Sequence, residues 1–162
     1  MIYNHIKSLQ SNTLLTFAKL LVMTYTIKTD TLQARIEREI SRVAASSYSD
    51  DGAALYDSIK VTSRDKDILE DYCRDAINSI CVAFAEHVTP ATDSISLEFP
   101  DFDPTLEQSA QDVLDRYVVY HTCAEWFRDK SVKDVESYTE RANDALSKAN
   151  MLLKSRKRPK RL

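Results

Sequence analysis

The 162-residue chain is 29% charged and 43% hydrophobic, with a formal net charge of -3. That balance suits a core-forming globular protein and excludes a disordered chain. It holds one glycine, Gly52, and four prolines; glycine supplies the positive-φ positions of phosphate loops and tight hairpins, so a P-loop, a Rossmann fingerprint and a hairpin-rich β-fold are effectively excluded.

Residues 1–21 read as a weakly amphipathic leading segment, part of it helical, and residues 1–22 as an arm ahead of a domain over 23–153. The run VMTYTIK, Val22 to Lys28, predicts a short strand. Asp30 is expected to cap a helix from Thr31 to about Ser47, in which Leu32, Ile36, Ile40 and Val43 line one face. The polar stretch Ser46 to Gly52 then breaks the pattern. Ser63 or Thr62 is expected to cap a helix running to about His87, with Leu69, Tyr72, Cys73, Ala76, Ile77, Ile80 and Phe84 at helical spacing. The run SISLEF, Ser94 to Phe99, alternates cleanly and predicts a half-buried strand with Ile95, Leu97 and Phe99 inward.

Asp103 followed by Pro104 predicts a capped helix to about Asp129. Its expected inner stripe is Leu106, Ala110, Val113, Tyr117, His121 and Ala124, widened by Leu114, Val118 and Phe127. A last helix is expected from Val132 to Lys154, with a seam of Val135, Tyr138, Ala142, Ala145, Ala149 and Leu152 suited to close packing. The expected fold is mainly α: an antiparallel bundle of three to four helices. One or two short β-strands would lie between helices, outside any main sheet, and an extended basic tail would follow over 154–162.

Charge is unevenly spread. The tail KSRKRPKRL carries Lys154, Arg156, Lys157, Arg158, Lys160 and Arg161 with no acid, which leaves residues 1–153 at -9. An acidic body with a basic tail suggests an interaction segment. It could dock on an acidic partner protein, bind nucleic-acid phosphates or serve as a localisation signal. A solvated helix end accounts for Lys154 alone.

No catalytic, cofactor or metal site is expected. Three cysteines, Cys73, Cys81 and Cys123, make no disulfide framework and point to synthesis in a reducing compartment. His121 and Cys123 are two apart on a helix and point away from each other, so they share neither an ion nor a proton. Cys81 and His87 fall on different faces. Asp65, Asp67, Asp101 and Asp103 read as first-turn, turn and cap residues. Tyr117, Tyr120, Trp126 and Phe127 could stack bases, but only Arg116 and Arg128 flank them, among Asp112, Asp115, Glu125 and Asp129. Core and subunit packing is the better account. No stretch reaches eighteen apolar residues, so no membrane span is expected. The run Leu14 to Val22 lacks the flanking features of a signal peptide.

Several blocks share a further pattern: TSRDKDILEDYCRDAINSI (Thr62 to Ile80), SISLEF (Ser94 to Phe99), YVVYHTCAEWF (Tyr117 to Phe127), VESYTERANDALSKANMLL (Val135 to Leu153) and RKRP (Arg156 to Pro159). In this order they resemble the head–tail connector (adaptor) proteins of tailed bacteriophages, and the last two blocks are especially similar to those of phages and prophages of Bacteroides-type hosts. The resemblance spans Tyr56 to Pro159. It implies a virion structural protein, not an enzyme, made in the host cytoplasm and located at the head–tail interface. Copies would form a dodecameric ring between the portal protein and further tail or connector proteins, with packaged DNA passing through the centre. The C-terminal segment, here Lys154 to Leu162, would reach along the portal. The alternative is a nucleic-acid-associated helical protein anchored by that tail.

Overall fold

The computed structural model describes residues 20–48, 52–91, 94–100 and 102–155. The fold is mainly helical, at 69%, with five helices and a small three-stranded antiparallel sheet among the described residues. In chain order the elements are β1 (Leu20–Thr26), α1 (Thr29–Ala45), a single turn α2 (Tyr56–Ile59), α3 (Lys66–Ala83), β2 (Val88–Pro90), β3 (Ser94–Pro100), α4 (Glu107–Phe127) and α5 (Val132–Leu153). The leading segment over 1–19 lies outside the described residues.

Helix α4 is the axis of the molecule. Helices α1, α3 and α5 and strand β1 all pack on it. Leu114, Val118 and Phe127 are completely buried on it, each contributing about 1.5–3 kcal/mol through removal from water. The expected inner stripe is therefore displaced. Ala110, Tyr117 and Ala124 are buried, whereas Val113 and His121 are only half-buried and Val119, Cys123 and Trp126 join the core. A helix covered from several directions has no single apolar face for a periodicity to find.

The outer helices behave as one-sided elements. Leu32, Ile36, Ile40 and Val43 of α1 are buried as expected, together with Ala44. In α3 the buried line is Leu69, Cys73, Ala76 and Ile80, with Tyr72 and Ile77 at its margin. In α5 it is Tyr138, Ala142, Ala145, Ala149 and Leu153. The three alanines let α5 approach α4 closely, and the Tyr138 ring stacks on Phe127 at 5.6 Å between centroids.

Helix starts follow local hydrogen bonding. Helix α1 opens at Thr29 without a side-chain cap, so Asp30 is a first-turn acid and not the cap. Helix α3 opens at Lys66, one turn after Thr62. The Asp65 carboxylate accepts from the Thr62 N–H at 2.8 Å and from its hydroxyl at 2.7 Å, which completes a separate turn ahead of the helix. Asp103 accepts from the Thr105 N–H at 3.0 Å and starts a 3-10 turn, Pro104–Leu106, that leads into α4. Ser131 caps α5 through the Asp134 N–H.

Helix α3 also stops short of His87. A 3-10 turn, Ala85–His87, brings the His87 ring against Phe99 at 4.3 Å, while Phe84 meets Phe99 edge-on at 6.0 Å. Packing on β3 thus ends the helix four residues before its pattern does.

The strands also depart from expectation: instead of isolated strands between helices, they form one sheet of order β1-β3-β2. Strand β1 opens at Leu20 and pairs antiparallel with β3, with Met23 opposite Leu97 and Tyr25 opposite Ile95. Both strands bury alternate residues: Met23 and Tyr25 from β1, and Ile95, Leu97 and Phe99 from β3. Strand β2 has only three residues and no alternation to reveal it.

Gly52 lies beside the bridge between Tyr48 and Ala54, with φ +81° and open space where a Cβ would stand. Its requirement is conformational alone. Gly52→Ala should lower the unfolding free energy by about 1–2 kcal/mol in urea titration, and Gly52→Asn by less, because asparagine tolerates this conformation. Equal stability of all three chains would show that the turn does not hold this φ in solution.

Candidate functional site

Lys154 is the one predicted tail residue inside the described region; Arg156, Lys157, Arg158, Lys160 and Arg161 lie outside it. The Lys154 N–H donates to the Asn150 carbonyl at 3.1 Å and closes α5, where a cation suits the negative end of the helix dipole. Ser155 follows. Its carbonyl accepts from the Asp103 N–H at 3.2 Å, and its hydroxyl donates to the Met151 carbonyl at 2.7 Å. The bond to Asp103 ties the end of α5 to the residue that caps the turn before α4. The chain thus leaves the α4–α5 hairpin from a fixed point.

The predicted thiols are withdrawn from solvent to different degrees. Cys73 and Cys123 are buried, Cys81 is half-buried, and all three are free. Burial raises all three thiols above their ordinary pKa, Cys123 most strongly, and so disfavours the nucleophilic thiolate. The Thr122 hydroxyl donates to Cys73 Sγ at 3.6 Å. His121 packs on Tyr117 at 5.6 Å, and burial lowers its pKa. Its Nδ1 is buried and has no hydrogen-bond partner among the described residues. The described residues contain no group of three or more His, Cys, Asp or Glu side chains that could hold a metal ion. Asp103 is a cap, and Asp101 lies outside the described residues.

The aromatic cluster forms core. Tyr117, Trp126 and Phe127 are buried, and the Trp126 indole N–H donates to the Ile59 carbonyl at 2.9 Å, which holds the α2 turn against α4. Tyr120 is half-buried and faces Tyr138 at 6.1 Å. Tyr138 in turn donates its hydroxyl to Glu39 at 3.1 Å. Burial pushes the Glu39 carboxyl up, but hydrogen bonds from Arg42 and Tyr138 outweigh it and hold the group below its ordinary value.

The least anticipated feature is a polar seam between β1 and α4. The Gln111 amide makes two bonds to Thr26: its oxygen accepts from the backbone N–H at 3.2 Å, and its nitrogen donates to the carbonyl at 2.9 Å. It fills the place of a neighbouring strand at the open edge of β1. One turn along α4, Asp115 accepts from the Tyr25 hydroxyl at 3.1 Å and pairs with Arg35 at 3.5 Å. Sequence reading places Asp115 among the acids flanking the aromatic cluster; it is only 9% exposed. The available signal was spacing. Gln111, Asp115 and Thr122 stand four and seven residues apart, on one side of the helix. No protein-family model matches the chain, and neither the comparison with curated proteins nor that with solved structures gives a match.

The seam makes two predictions. Tyr25→Phe removes a buried donor to a carboxylate and should cost about 1–3 kcal/mol of unfolding free energy; an unchanged urea midpoint would remove the bond from the account. Burial raises the Asp115 carboxyl above its ordinary value, outweighing the Tyr25 hydrogen bond and the Arg35 charge. The folded state then holds this proton more tightly than the unfolded chain. Asp115 therefore favours folding in acid, and that contribution is lost as pH rises from the ordinary carboxylate value through the folded-state value. Asp115→Asn cannot ionise, so its stability relative to the parent should improve as pH rises through that window. A pH-independent difference would contradict the raised value.

Proposed function

We propose that the chain is a virion structural protein: the subunit of a head–tail connector ring that joins the portal to the tail around the DNA channel. The observation that carries this reading is the order of helix α3, strand β3, the Asp103-capped turn leading into helix α4, and helix α5. That is the order in which the connector-like blocks occur. A closed ring needs a subunit with two different faces and a stable shape. A central helix buried among three others, with few turns and one glycine, supplies such a body. In this reading twelve copies associate, portal and further tail or connector proteins lie above and below, and residues 154–162 reach along the portal. No helix among the described residues is long and apolar enough to cross a membrane.

The charge of the tail, six cations in nine residues, favours a second reading, in which the same segment anchors a helical protein on nucleic acid by counterion release. One deletion separates the two. Removal of residues 156–162 leaves the Ser155–Asp103 bond in place, so helicity and the urea midpoint should match the parent. For a connector, co-sedimentation with the portal should fall at least several-fold. For the alternative, binding to mixed DNA at low salt should be lost instead. Full retention of portal binding, or a parent chain that never associates with portal or with itself, would overturn the connector assignment.

A further inference from the structure

We propose that the depression between the C-terminal end of α1 and the start of α5 is a binding site for a phosphate group. It has a volume of about 400 Å³, and four cationic side chains line it: Arg42 from α1, Lys130 from the α4–α5 connection, and Lys133 and Arg141 from α5. These four gather in a body whose residues 1–153 carry -9. Proximity on one helix does not explain them, because three separate segments contribute.

The neighbouring carboxylates neutralise the site only in part: Asp134, and Glu39 paired with Arg42, leave two of the four positive charges uncompensated. Asp134 is the only acid in the lining, and the Ser131 hydroxyl donates to it. Glu39, behind the rim, is taken up by Arg42 at 2.9 Å and by the Tyr138 hydroxyl at 3.1 Å. Lys130 donates to the Trp126 carbonyl at 3.0 Å and lies 3.9 Å from the centre of the Trp126 ring. Those contacts satisfy its geometry and leave its charge. Lys133 and Arg141 form no salt bridge among the described residues. The Arg141 guanidinium lies over Tyr138 at 5.3 Å and Tyr120 at 6.0 Å, so aromatic packing positions it. Lys133 stands in the first turn of α5, the end of a helix where a cation is disfavoured. A bound anion would relieve that cost.

A phosphate group matches what is present. It accepts hydrogen bonds on every free oxygen, and its charge, about two in a monoester and one per group along a nucleic-acid backbone, draws on more than one cation. Guanidinium forks hold two oxygens at once, and ammonium groups act as point charges. Ser137 and Tyr48 add hydroxyls to the same lining. A carboxylate, with two oxygens and one charge, would engage fewer of these groups than a phosphate monoester. The phosphate could belong to a small soluble ester or to a nucleic-acid backbone. The proposal holds whether or not the chain forms a ring.

The test uses the full chain and two probes, inorganic phosphate and a short single-stranded oligonucleotide, each titrated calorimetrically against chloride at matched ionic strength. Two variants accompany it: Lys133→Gln, whose side chain makes no ion pair, and the pair Lys133→Gln with Arg141→Gln. Circular dichroism verifies that each remains helical. Phosphate binding that weakens about tenfold or more in the double variant supports a site for small phosphates. The same loss seen with the oligonucleotide alone supports the backbone as the source. Responses that chloride reproduces, or affinities for both probes that neither variant changes, overturn the proposal.

Discussion

The structure depends on the burial of α4 from several sides. A helix in that position can leave few polar groups unsatisfied, because a buried donor or acceptor without a partner costs about 1–3 kcal/mol. Glu107–Phe127 nevertheless carries Gln111, Asp115 and Thr122 inward. Each finds a partner on another element: Thr26 on β1, Tyr25 on β1 with Arg35 on α1, and Cys73 on α3. The apolar residues of α4 gather its neighbours, and its polar residues decide where along its length each neighbour sits. Hydrophobic burial is nearly indifferent to a slide of one helical turn; a Gln111 amide closing two bonds on Thr26 is not.

This division explains what was legible in the sequence. Helices α1, α3 and α5 each bury one face, so Leu32–Ile36–Ile40 and Ala142–Ala145–Ala149 announce themselves by spacing. The Asp103 cap is local and equally readable. On α4 the burial of Ala110, Leu114, Tyr117, Val118, Ala124 and Phe127 was legible, but that of Val119, Cys123 and Trp126 was not, because burial on several sides removes the contrast on which a stripe depends. Nor was the sheet: Tyr25 and Ile95 pair across some seventy residues, and nothing near Tyr25 encodes that partner. Asp115 illustrates the same limit at the level of one side chain. Its type suggests surface, and the hydroxyl of Tyr25, ninety residues away, together with the Arg35 guanidinium, makes its burial tolerable.

The charge pattern takes on a spatial meaning in the fold. The basic tail follows Ser155, fastened beside Asp103, at the end of the hairpin where α4 begins. The four-cation depression is built around the start of α5, at the opposite end of that hairpin. The point at Ser155 from which the chain continues and the start of α5 therefore stand apart by roughly the length of that helix, about 33 Å at 1.5 Å per residue.

The bond from Tyr25 to Asp115 also has a consequence for how the chain is made. During synthesis β1 emerges well before β3, and before the part of α4 that receives its hydroxyl. Until then Met23 and Tyr25, both destined for complete burial, have neither sheet nor helix to cover them. Local helices such as α1 can form early, but the strand must wait for long-range partners, and long-range pairing is slow. The nascent protein thus passes through a period in which an apolar strand is open to the wrong partner. Its completion is governed by the arrival of α4 and not by the strand itself.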